Sequence, residues 1–325
     1  MNKMFRFSIL AITLIGLLAA VALRPAPPVS AACTNSGDYP TGILADSPIV
    51  YYRMGDAGNP AVNSGSLGAA VNGTYTNATF GATSLVANDA NTAVNFNGTN
   101  SLVAIPDNAS INTGGPYQNR TIEFIFGAGD TVGRQLLWEE GGFTRGLNIY
   151  LQDTTLYLGG WNVNNDDAGA SSPWGPSFIT TTISANTVYH VALVMQGSAA
   201  GFTGTLTGYV NGVQIGQATG IGRLFAHTDD TGIARTSGGT RYHNSAANDT
   251  TANFFNGRID EFAMYNAALT SGQINAHITD CFGPLAVSLS GQGIGQPAAV
   301  LPWLILLTTS MAVVSLIALR RRPTA

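Results

Sequence analysis

The hydrophobic and polar positions between residues 48 and 277 follow the two-residue period of β-strands. No stretch there keeps helical apolar spacing for long, whereas short alternating or β-branched runs recur between clusters of glycine and asparagine. The clearest runs cover residues 92–96, 101–105, 121–126, 146–151, 187–195, 205–210 and 256–265. This regular spacing predicts an all-β sandwich or barrel. A weak helical pattern covers only residues 271–279.

One turn is specified strongly by its sequence. Val210, Asn211, Gly212 and Val213 stand between two strand patterns, and a type I′ hairpin turn needs positive φ at both central residues, which Asn and Gly tolerate. No Pro-rich or charged linker and no internal repeat divides residues 33–282. We therefore expect one large folded domain in this range.

The first 32 residues are typical of a secretory signal peptide. Lys3 and Arg6 precede an apolar run at 8–23, and small residues follow at 30–32. A transmembrane helix would need about 20 apolar residues, and a lipid-modified Cys33 would normally have Leu three positions before it, where this chain has Ser30. We therefore predict a signal peptide that is cleaved after residue 31 or 32.

The other end of the chain predicts a membrane anchor. Residues 298–319 are apolar and uncharged, and Arg320, Arg321 and Arg322 follow at once. A helix of this length reaches about 33 Å, enough to span a hydrocarbon core, and cationic flanks stay in the cytoplasm. The Gly-, Ser- and Gln-rich residues 283–297 then form a flexible linker. Residues 320–325 form a cytoplasmic tail, and the domain lies outside the cell.

The charge of the domain limits its possible binding partners, and its two cysteines raise the question of a disulfide. Residues 33–297 hold 18 acidic residues and 8 arginines, a net charge of about −10, which argues against binding nucleic acid or anionic lipid. Cys33 and Cys281 bracket nearly the whole domain, and export permits a disulfide between them. If that bridge forms, the two ends of the domain are neighbours. The alternative is two unconnected thiols.

Six motifs occur in the same order as in a known family. They are 51–56 (YYRMGD), 93–98 (AVNFNG), 121–123 (TIE), 189–192 (YHVA), 209–212 (YVNG) and 257–269 (GRIDEFAMYNAAL). The set resembles laminin G-like jelly rolls of the concanavalin A-like lectin and glucanase superfamily. That resemblance implies a two-sheet antiparallel jelly-roll sandwich with its terminal strands side by side. It also implies that most motif residues, including His190, build the core.

The acidic and histidine residues do not form a recognisable catalytic set. Retaining glycosidases need two carboxyl groups about 5 to 5.5 Å apart, whereas the acids here occur as adjacent pairs, which on a strand point to opposite faces. The pairs are 139–140, 166–167, 229–230 and 260–261. The four histidines lack metal-ligand spacing, and His227 and His243 are expected to be solvated in loops. We therefore predict no catalytic residues and no enzyme.

A structural calcium ion is a second expectation. If the terminal strands pair, Asp56 and Asp260 fall near each other, and jelly-roll binding modules often carry Ca²⁺ at such a place, with six to eight oxygen ligands. The family often has a second acid where this chain has Asn63. The alternative is that both acids accept hydrogen bonds from backbone amides.

A loop rich in oxygen atoms and aromatic rings is the candidate ligand site. Trp161, Asn164, Asp166, Asp167 and Trp174 combine rings for stacking with amide and carboxylate groups for sugar hydroxyls. The alternative is an ordered surface loop with partly buried tryptophans.

These observations predict a non-enzymatic binding or adhesion module on the outer face of a bacterial-type membrane. Glycans are the leading ligand and surface proteins the second. A glycoside hydrolase and a structural envelope protein are the two other hypotheses.

Overall fold

A computed structural model describes residues 39–86, 89–164, 172–236, 238–244, 246–248 and 252–282 of the chain. The predicted signal peptide, linker, membrane anchor and tail lie outside these residues, and so do Cys33, Asp166 and Asp167. Within the described residues, neither helix has the length and apolar character needed to cross a membrane.

Seventeen strands and two helices make up the described fold. Short 3₁₀ geometry occurs at Gly68–Val71. The helices are α1 (Tyr39–Ala45) and α2 (Ser271–Phe282). The strands are β1 (Val50–Tyr52), β2 (Thr74–Thr76), β3 (Thr79–Thr83), β4 (Thr92–Asn97), β5 (Leu102–Ile105), β6 (Asn119–Ala128), β7 (Arg134–Gly141), β8 (Arg145–Gln152), β9 (Thr155–Asn162), β10 (Trp174–Thr182), β11 (Val188–Gln196), β12 (Gly204–Val210), β13 (Val213–Ile221), β14 (Thr231–Ile233), β15 (Thr240–Arg241), β16 (Ala247–Asn248) and β17 (Asn256–Tyr265).

The strands form two antiparallel sheets and a small ribbon. The first sheet has the order β13-β12-β11-β6-β17-β4-β3, with β1 also paired to β17, and the second has the order β10-β9-β8-β7-β14-β5-β2. Strands β15 and β16 pair only with each other. This arrangement confirms the predicted two-sheet antiparallel jelly-roll sandwich.

The terminal strands of the sandwich lie side by side, as predicted. Val50 and Tyr52 of β1 are in register with Met264 and Phe262 of β17. The Asn211-Gly212 turn is confirmed as well, because the two residues have φ of 50° and 73° and join β12 to β13. All seven predicted strand runs overlap observed strands, and only Ser101 and Thr187, at the starts of two runs, lie outside them.

Two apolar layers hold the first sheet in place. Alternate residues of its strands face the second sheet and fill the inter-sheet core, in which Phe124, Phe126 and Phe262 are fully buried. The opposite face packs against the helices, and its fully buried residues include Tyr39 of α1 and Ile274 of α2. Burial on both faces explains why the central strands are almost continuously apolar.

Helix α2 begins with reciprocal hydrogen bonds of the capping-box type. The Thr270 hydroxyl accepts from the Gln273 N–H at 3.2 Å, and the Gln273 side chain accepts from the Thr270 N–H at 2.9 Å. Gln273 also donates to Asp46, directly after α1, at 2.8 Å. The two ends of the described domain are therefore neighbours. The Cys33–Cys281 disulfide stays a prediction, because Cys33 lies outside the described residues.

A buried carboxylate joins the helices to the first sheet. Glu123 of β6 is fully buried and contacts His190 Nε2 at 3.0 Å, His277 Nδ1 at 3.0 Å and the Tyr265 hydroxyl at 2.5 Å. His277 Nε2 lies 3.1 Å from Asp46. We call this set, Asp46, His277, Glu123, His190 and Tyr265, the histidine clamp.

Opposite charges decide the ionisation of the clamp. Burial alone lowers the pKa of His277, but the carboxylates of Glu123 and Asp46 outweigh it and leave that pKa above its ordinary value. Burial likewise raises the pKa of Glu123, but His277 and His190 outweigh it and hold that pKa well below its usual range. Both shifts indicate an imidazolium held between two carboxylates.

We expect the clamp to make folding stability depend on pH. A group whose pKa is raised by folding stabilises fully below its unfolded pKa of about 6.5 and loses that contribution as pH rises through its folded pKa. Wild-type stability should therefore decline above about pH 6.5, and His277→Gln, which cannot titrate, should lack this decline. Urea unfolding of both proteins between about pH 5 and about pH 9 measures the difference.

His243→Gln provides the control and should keep the wild-type decline above about pH 6.5, because partial burial and then the Arg134 charge lower the pKa of His243 and confine its own effect to lower pH. An equally steep decline in the His277→Gln protein would show that the clamp does not carry the effect.

Candidate ligand cleft

A cleft of about 400 Å³ opens at the loop end of the sandwich. Four chain segments meet there: the β5–β6 connection, the β7–β8 turn, the residues after β9 and the β13–β14 connection. The lining residues are Thr113, Thr144, Arg145, Asn164, Ala226, His227, Thr228 and Asp229. Hydroxyl, amide, guanidinium and carboxylate groups thus surround one volume.

The β7–β8 turn is shaped by two glycines. Gly141 has φ of 98°, and a Cβ there would lie 2.3 Å from the Arg145 carbonyl oxygen. Gly142 donates to that same oxygen at 2.9 Å, and a Cβ on Gly142 would lie 2.0 Å from Asp229 Oδ2. The turn therefore needs glycine at 141 for its backbone and at 142 to let Asp229 approach.

The two tryptophans of the predicted ligand loop support the walls of the cleft. Trp161 is fully buried and Trp174 is 4% exposed. Trp161 Nε1 donates to the Gly142 carbonyl at 2.9 Å, and Trp174 Nε1 donates to the Arg223 carbonyl at 2.8 Å. In this structure neither ring has a face open to a ligand. The alternative of buried tryptophans therefore fits the geometry.

Asn164 is the predicted ligand residue that the structure places in the cleft. Asp166 and Asp167 lie outside the described residues, so their role stays a prediction. Sequence reasoning did not assign Thr113, Thr144, Arg145 or Asp229 to a site. The paired glycines at 141–142 were the available signal, because a tight glycine turn indicates a close approach of backbone and another group.

The β13–β14 connection is held by backbone and side-chain contacts. Leu224 exchanges backbone hydrogen bonds with Tyr117 at 2.6 and 3.0 Å, and the His227 N–H donates to the Asn112 carbonyl at 2.8 Å. Arg145 Nη1 donates to the Ala226 carbonyl at 2.5 Å. These bonds fix the segment that carries Asp229.

His227 is buried, and the expectation that it is solvated is wrong. Its side chain is 7% exposed, and within the described chain neither ring nitrogen makes a hydrogen bond of regular geometry. Burial and then the Arg120 charge lower the pKa of His227 to about 4, against the opposing effect of the Asp229 backbone carbonyl. The imidazole is therefore neutral at physiological pH. His243 is exposed, as expected.

We expect alanine substitutions of the two turn glycines to reduce folding stability by different amounts. Gly141→Ala forces a side chain onto a positive-φ residue against backbone atoms, and we expect it to cost about 2 kcal/mol or more of folding stability. Gly142→Ala meets only the end of the exposed Asp229 side chain, so we expect less than about 1 kcal/mol and a displaced carboxylate. Urea unfolding measures both changes. Equal costs would show that Asp229 is held as firmly as the backbone.

The acids predicted to bind calcium have separate hydrogen-bond partners. Asp56 accepts from the Tyr75 hydroxyl at 2.9 Å and the Val62 N–H at 3.4 Å. Asp260 accepts from Ser84 Oγ at 3.0 Å and the Leu85 N–H at 2.8 Å. Both acids therefore accept a hydrogen bond from a backbone amide, which is the contact expected if they do not bind calcium.

Calcium would have to use ligands beyond clustered acids. Among the residues that the structure covers, no group of three or more His, Cys, Asp or Glu could hold a metal ion. Burial, followed by the neighbouring Glu261, raises the pKa of Asp260 well above its ordinary value, which favours the neutral form. The proposed calcium site remains a prediction.

One adjacent acid pair departs from strand alternation. Glu261 has φ of 54°, and the pairing of β17 with β6 shifts register between Asp260 and Ala263, which marks a β-bulge. Asp260 bonds Leu85, and Glu261 accepts from Tyr51, within the apolar layer beneath the helices. The expectation of opposite faces is therefore wrong for this pair. Both acids are fully buried.

The calcium prediction is testable by thermal unfolding. If Asp56 and Asp260 bind Ca²⁺, calcium at about 100 times its dissociation constant should add about 2.7 kcal/mol to the free energy of unfolding, and chelator should remove that gain. An unchanged midpoint, or a calcium shift that persists in Asp260→Ala, would leave both acids as hydrogen-bond acceptors.

Comparison with known proteins places this architecture in a family. A family model described as the concanavalin A-like lectin/glucanases superfamily matches residues 97–275, more than half of the 325-residue chain. The match begins at the last residue of β4 and ends inside α2, so it includes every lining residue of the cleft. A search of curated proteins finds no match.

Solved structures similar to this chain include three binding domains of larger proteins. The botulinum neurotoxin type G receptor binding domain has 10% identity and a TM-score of 0.48, and the match covers 72% of this chain and 51% of that one. The binding domain of Paraclostridial mosquitocidal protein 1 has 16% identity and a TM-score of 0.49, with 73% and 52% covered. The botulinum neurotoxin serotype C1 binding domain has 13% identity and a TM-score of 0.48, with 73% and 53% covered. The chain thus spans about half the length of these domains.

Proposed function

The chain belongs to the concanavalin A-like lectin/glucanases superfamily, and on that basis we propose that it is a carbohydrate-binding module of the cell surface. The observation that carries the proposal is the cleft, where hydroxyl, amide, imidazole and carboxylate groups from four segments converge. Sugars bind through several directional hydrogen bonds at once, and such sites combine a few polar groups with a preformed concave surface.

The polar groups of the cleft suit hydroxyl ligands. The Asp229 carboxylate accepts hydrogen bonds, whereas the Asn164 amide both donates and accepts. The exposed hydroxyls of Thr113, Thr144 and Thr228 can do either. A ligand with several hydroxyl groups, each donor and acceptor, matches this mixture.

The carboxylates favour binding over hydrolysis. Of the described residues that line the cleft, Asp229 is the one acid, and glycoside hydrolysis ordinarily uses two carboxyl groups. Asp260 and Glu261 do lie together, but both are buried under the segment that carries Ser84 and Leu85. A polysaccharide has no access to them in this structure. We therefore propose a binding protein without catalytic residues.

We also propose that the module is displayed outside the cell. The signal-peptide pattern of residues 1–32 and the apolar residues 298–319 with their arginine flank support export and anchoring. The Gly-, Ser- and Gln-rich residues 283–297 would act as a flexible tether between the domain and the membrane. Surface glycans are then the accessible ligands, with surface proteins as the second candidate.

Asp229 provides the test of carbohydrate binding. We expect the purified full-length chain to bind members of an array of neutral and acidic oligosaccharides. Asp229→Asn should weaken that binding at least about tenfold, equivalent to about 1.4 kcal/mol. The matched control is Asp230→Asn, which removes the same charge one residue further on, where the side chain is 65% exposed and pairs with Arg235. It should bind like the wild type.

Other outcomes would favour the competing functions. Release of reducing ends from polysaccharides by the wild type would replace this proposal with a glycoside hydrolase. Absence of both glycan binding and turnover would favour a structural envelope protein. If Asp229→Asn and Asp230→Asn weaken glycan binding equally, the effect is one of general charge, and the cleft is not the binding site.

A further inference from the structure

A second cavity, of about 200 Å³, lies on the first sheet and shares no described lining residue with the cleft. Four adjacent strands, β4, β17, β6 and β11, each contribute one residue to a row across it. Arg258 is in register with Asn95 on one side and with Gly127 on the other, and Gly127 is in register with Val188. The sheet pairing therefore places these four residues side by side.

The cavity exists because position 127 has no side chain. Ile125, two residues earlier on the same face of β6, is buried in the apolar layer beneath the helices. Gly127 does not have a positive φ, and a Cβ there would make ordinary contacts, at 3.9 Å from both Leu85 Cδ2 and Val188 Cγ2. Neither the backbone nor the packing thus requires glycine, and its effect is to keep this space open.

Arg258 is the one charged residue among the described residues that line the cavity. Its Nη1 donates to the Thr83 carbonyl at 2.9 Å, which holds the guanidinium towards β3. Within the described chain, Nε and Nη2 make no hydrogen bond. These two groups form the edge of a guanidinium that can donate to both oxygens of one carboxylate.

The other walls supply neutral polar groups and an apolar surface. The side-chain amides of Asn95 and Asn186 form no hydrogen bond within the described chain, and each can donate and accept. The Asn186 backbone N–H donates to the Ala128 carbonyl at 2.7 Å, which fixes that residue at the edge of the cavity. Val188 contributes an apolar side chain that packs against the layer beneath the helices.

The nearest acid on this face of β17 does not oppose an anion. Asp260 lies two residues after Arg258, but its carboxyl group is buried and accepts from the Leu85 N–H at 2.8 Å. Burial, followed by the neighbouring Glu261, raises the pKa of Asp260 well above its ordinary value, which favours the uncharged form. The positive charge of Arg258 is therefore available to a ligand.

We infer that this cavity binds a small carboxylate with a short apolar stem. The carboxylate pairs with Nε and Nη2 of Arg258, and the stem lies over Gly127 against Val188. A bidentate pair of this kind gives both charge and geometric selectivity. The inference is independent of the proposed carbohydrate binding, because the two sites have no described residue in common.

The probes are acetate, propionate and lactate, each compared with its neutral amide, together with inorganic phosphate. Ligand-observed NMR titration of the purified full-length chain measures the dissociation constants. We expect the wild type to bind at least one carboxylate with a millimolar dissociation constant, at least about tenfold more tightly than the corresponding amide and more tightly than phosphate.

Substitutions of Arg258 separate paired hydrogen bonds from charge alone. Arg258→Gln should weaken carboxylate binding at least about tenfold. Arg258→Lys should give an intermediate loss, because an ammonium group keeps the charge but lacks the planar pair of donors. The matched control is Arg241→Gln, which removes the same charge from β15, a strand that pairs only with β16. It should bind like the wild type.

Gly127→Ala tests the cavity without removing any charge. The added methyl group occupies the floor of the site, and we expect carboxylate binding to weaken at least about threefold. The melting temperature should stay unchanged or rise, because glycine in a strand interior is less favourable than alanine. A loss of binding in a fully folded variant would therefore place the ligand in this cavity.

Four outcomes would overturn the inference and leave the proposed carbohydrate binding unaffected. They are failure of the wild type to bind any of the carboxylates at tens of millimolar, equal binding of acid and amide, tighter binding of phosphate, and binding that persists in Arg258→Gln. Equal weakening by Arg258→Gln and Arg241→Gln would overturn it as well, since the effect would then be one of overall charge.

Discussion

The position of the last strand determines the rest of the architecture. Strand β17 ends the sandwich in sequence but lies in the middle of the first sheet, where it pairs with β1, β4 and β6. Its backbone donors and acceptors are buried and need partners from strands that are far away in sequence. Closing the domain therefore brings its two ends together, and the helices that flank those ends can cover one face of the sheet.

The covering helices supply partners for a buried carboxylate. Glu123 and Glu261 are fully buried in a domain with few positive charges, and a buried charge is tolerated only with close partners. Glu123 has two histidines, and Glu261 has Arg53 at 2.9 Å. The bulge at Glu261 turns that side chain to its partners. Helix packing and ion pairing are thus interdependent, because removing α2 would remove His277 from Glu123.

The parts of this fold that depend on local pattern were predictable from sequence. Period-two runs indicate strands, and the Asn211-Gly212 turn fixes one hairpin. The cleft depends instead on four segments that only the tertiary fold assembles. Trp161 and Trp174 show the difference most clearly: their type suits sugar stacking, yet their indole N–H groups are used inside the walls.

The cleft and the histidine clamp respond to pH in separate ranges, although both contain a buried histidine. His227 faces arginine charges and has a pKa of about 4, so it gains a proton only in acid. His277 faces two carboxylates, which raise its pKa above the ordinary value, so it loses its proton only above about pH 6.5. Between these limits neither group titrates substantially. The environment of each side chain, and not the residue type, therefore sets the direction in which each histidine makes folding stability depend on pH.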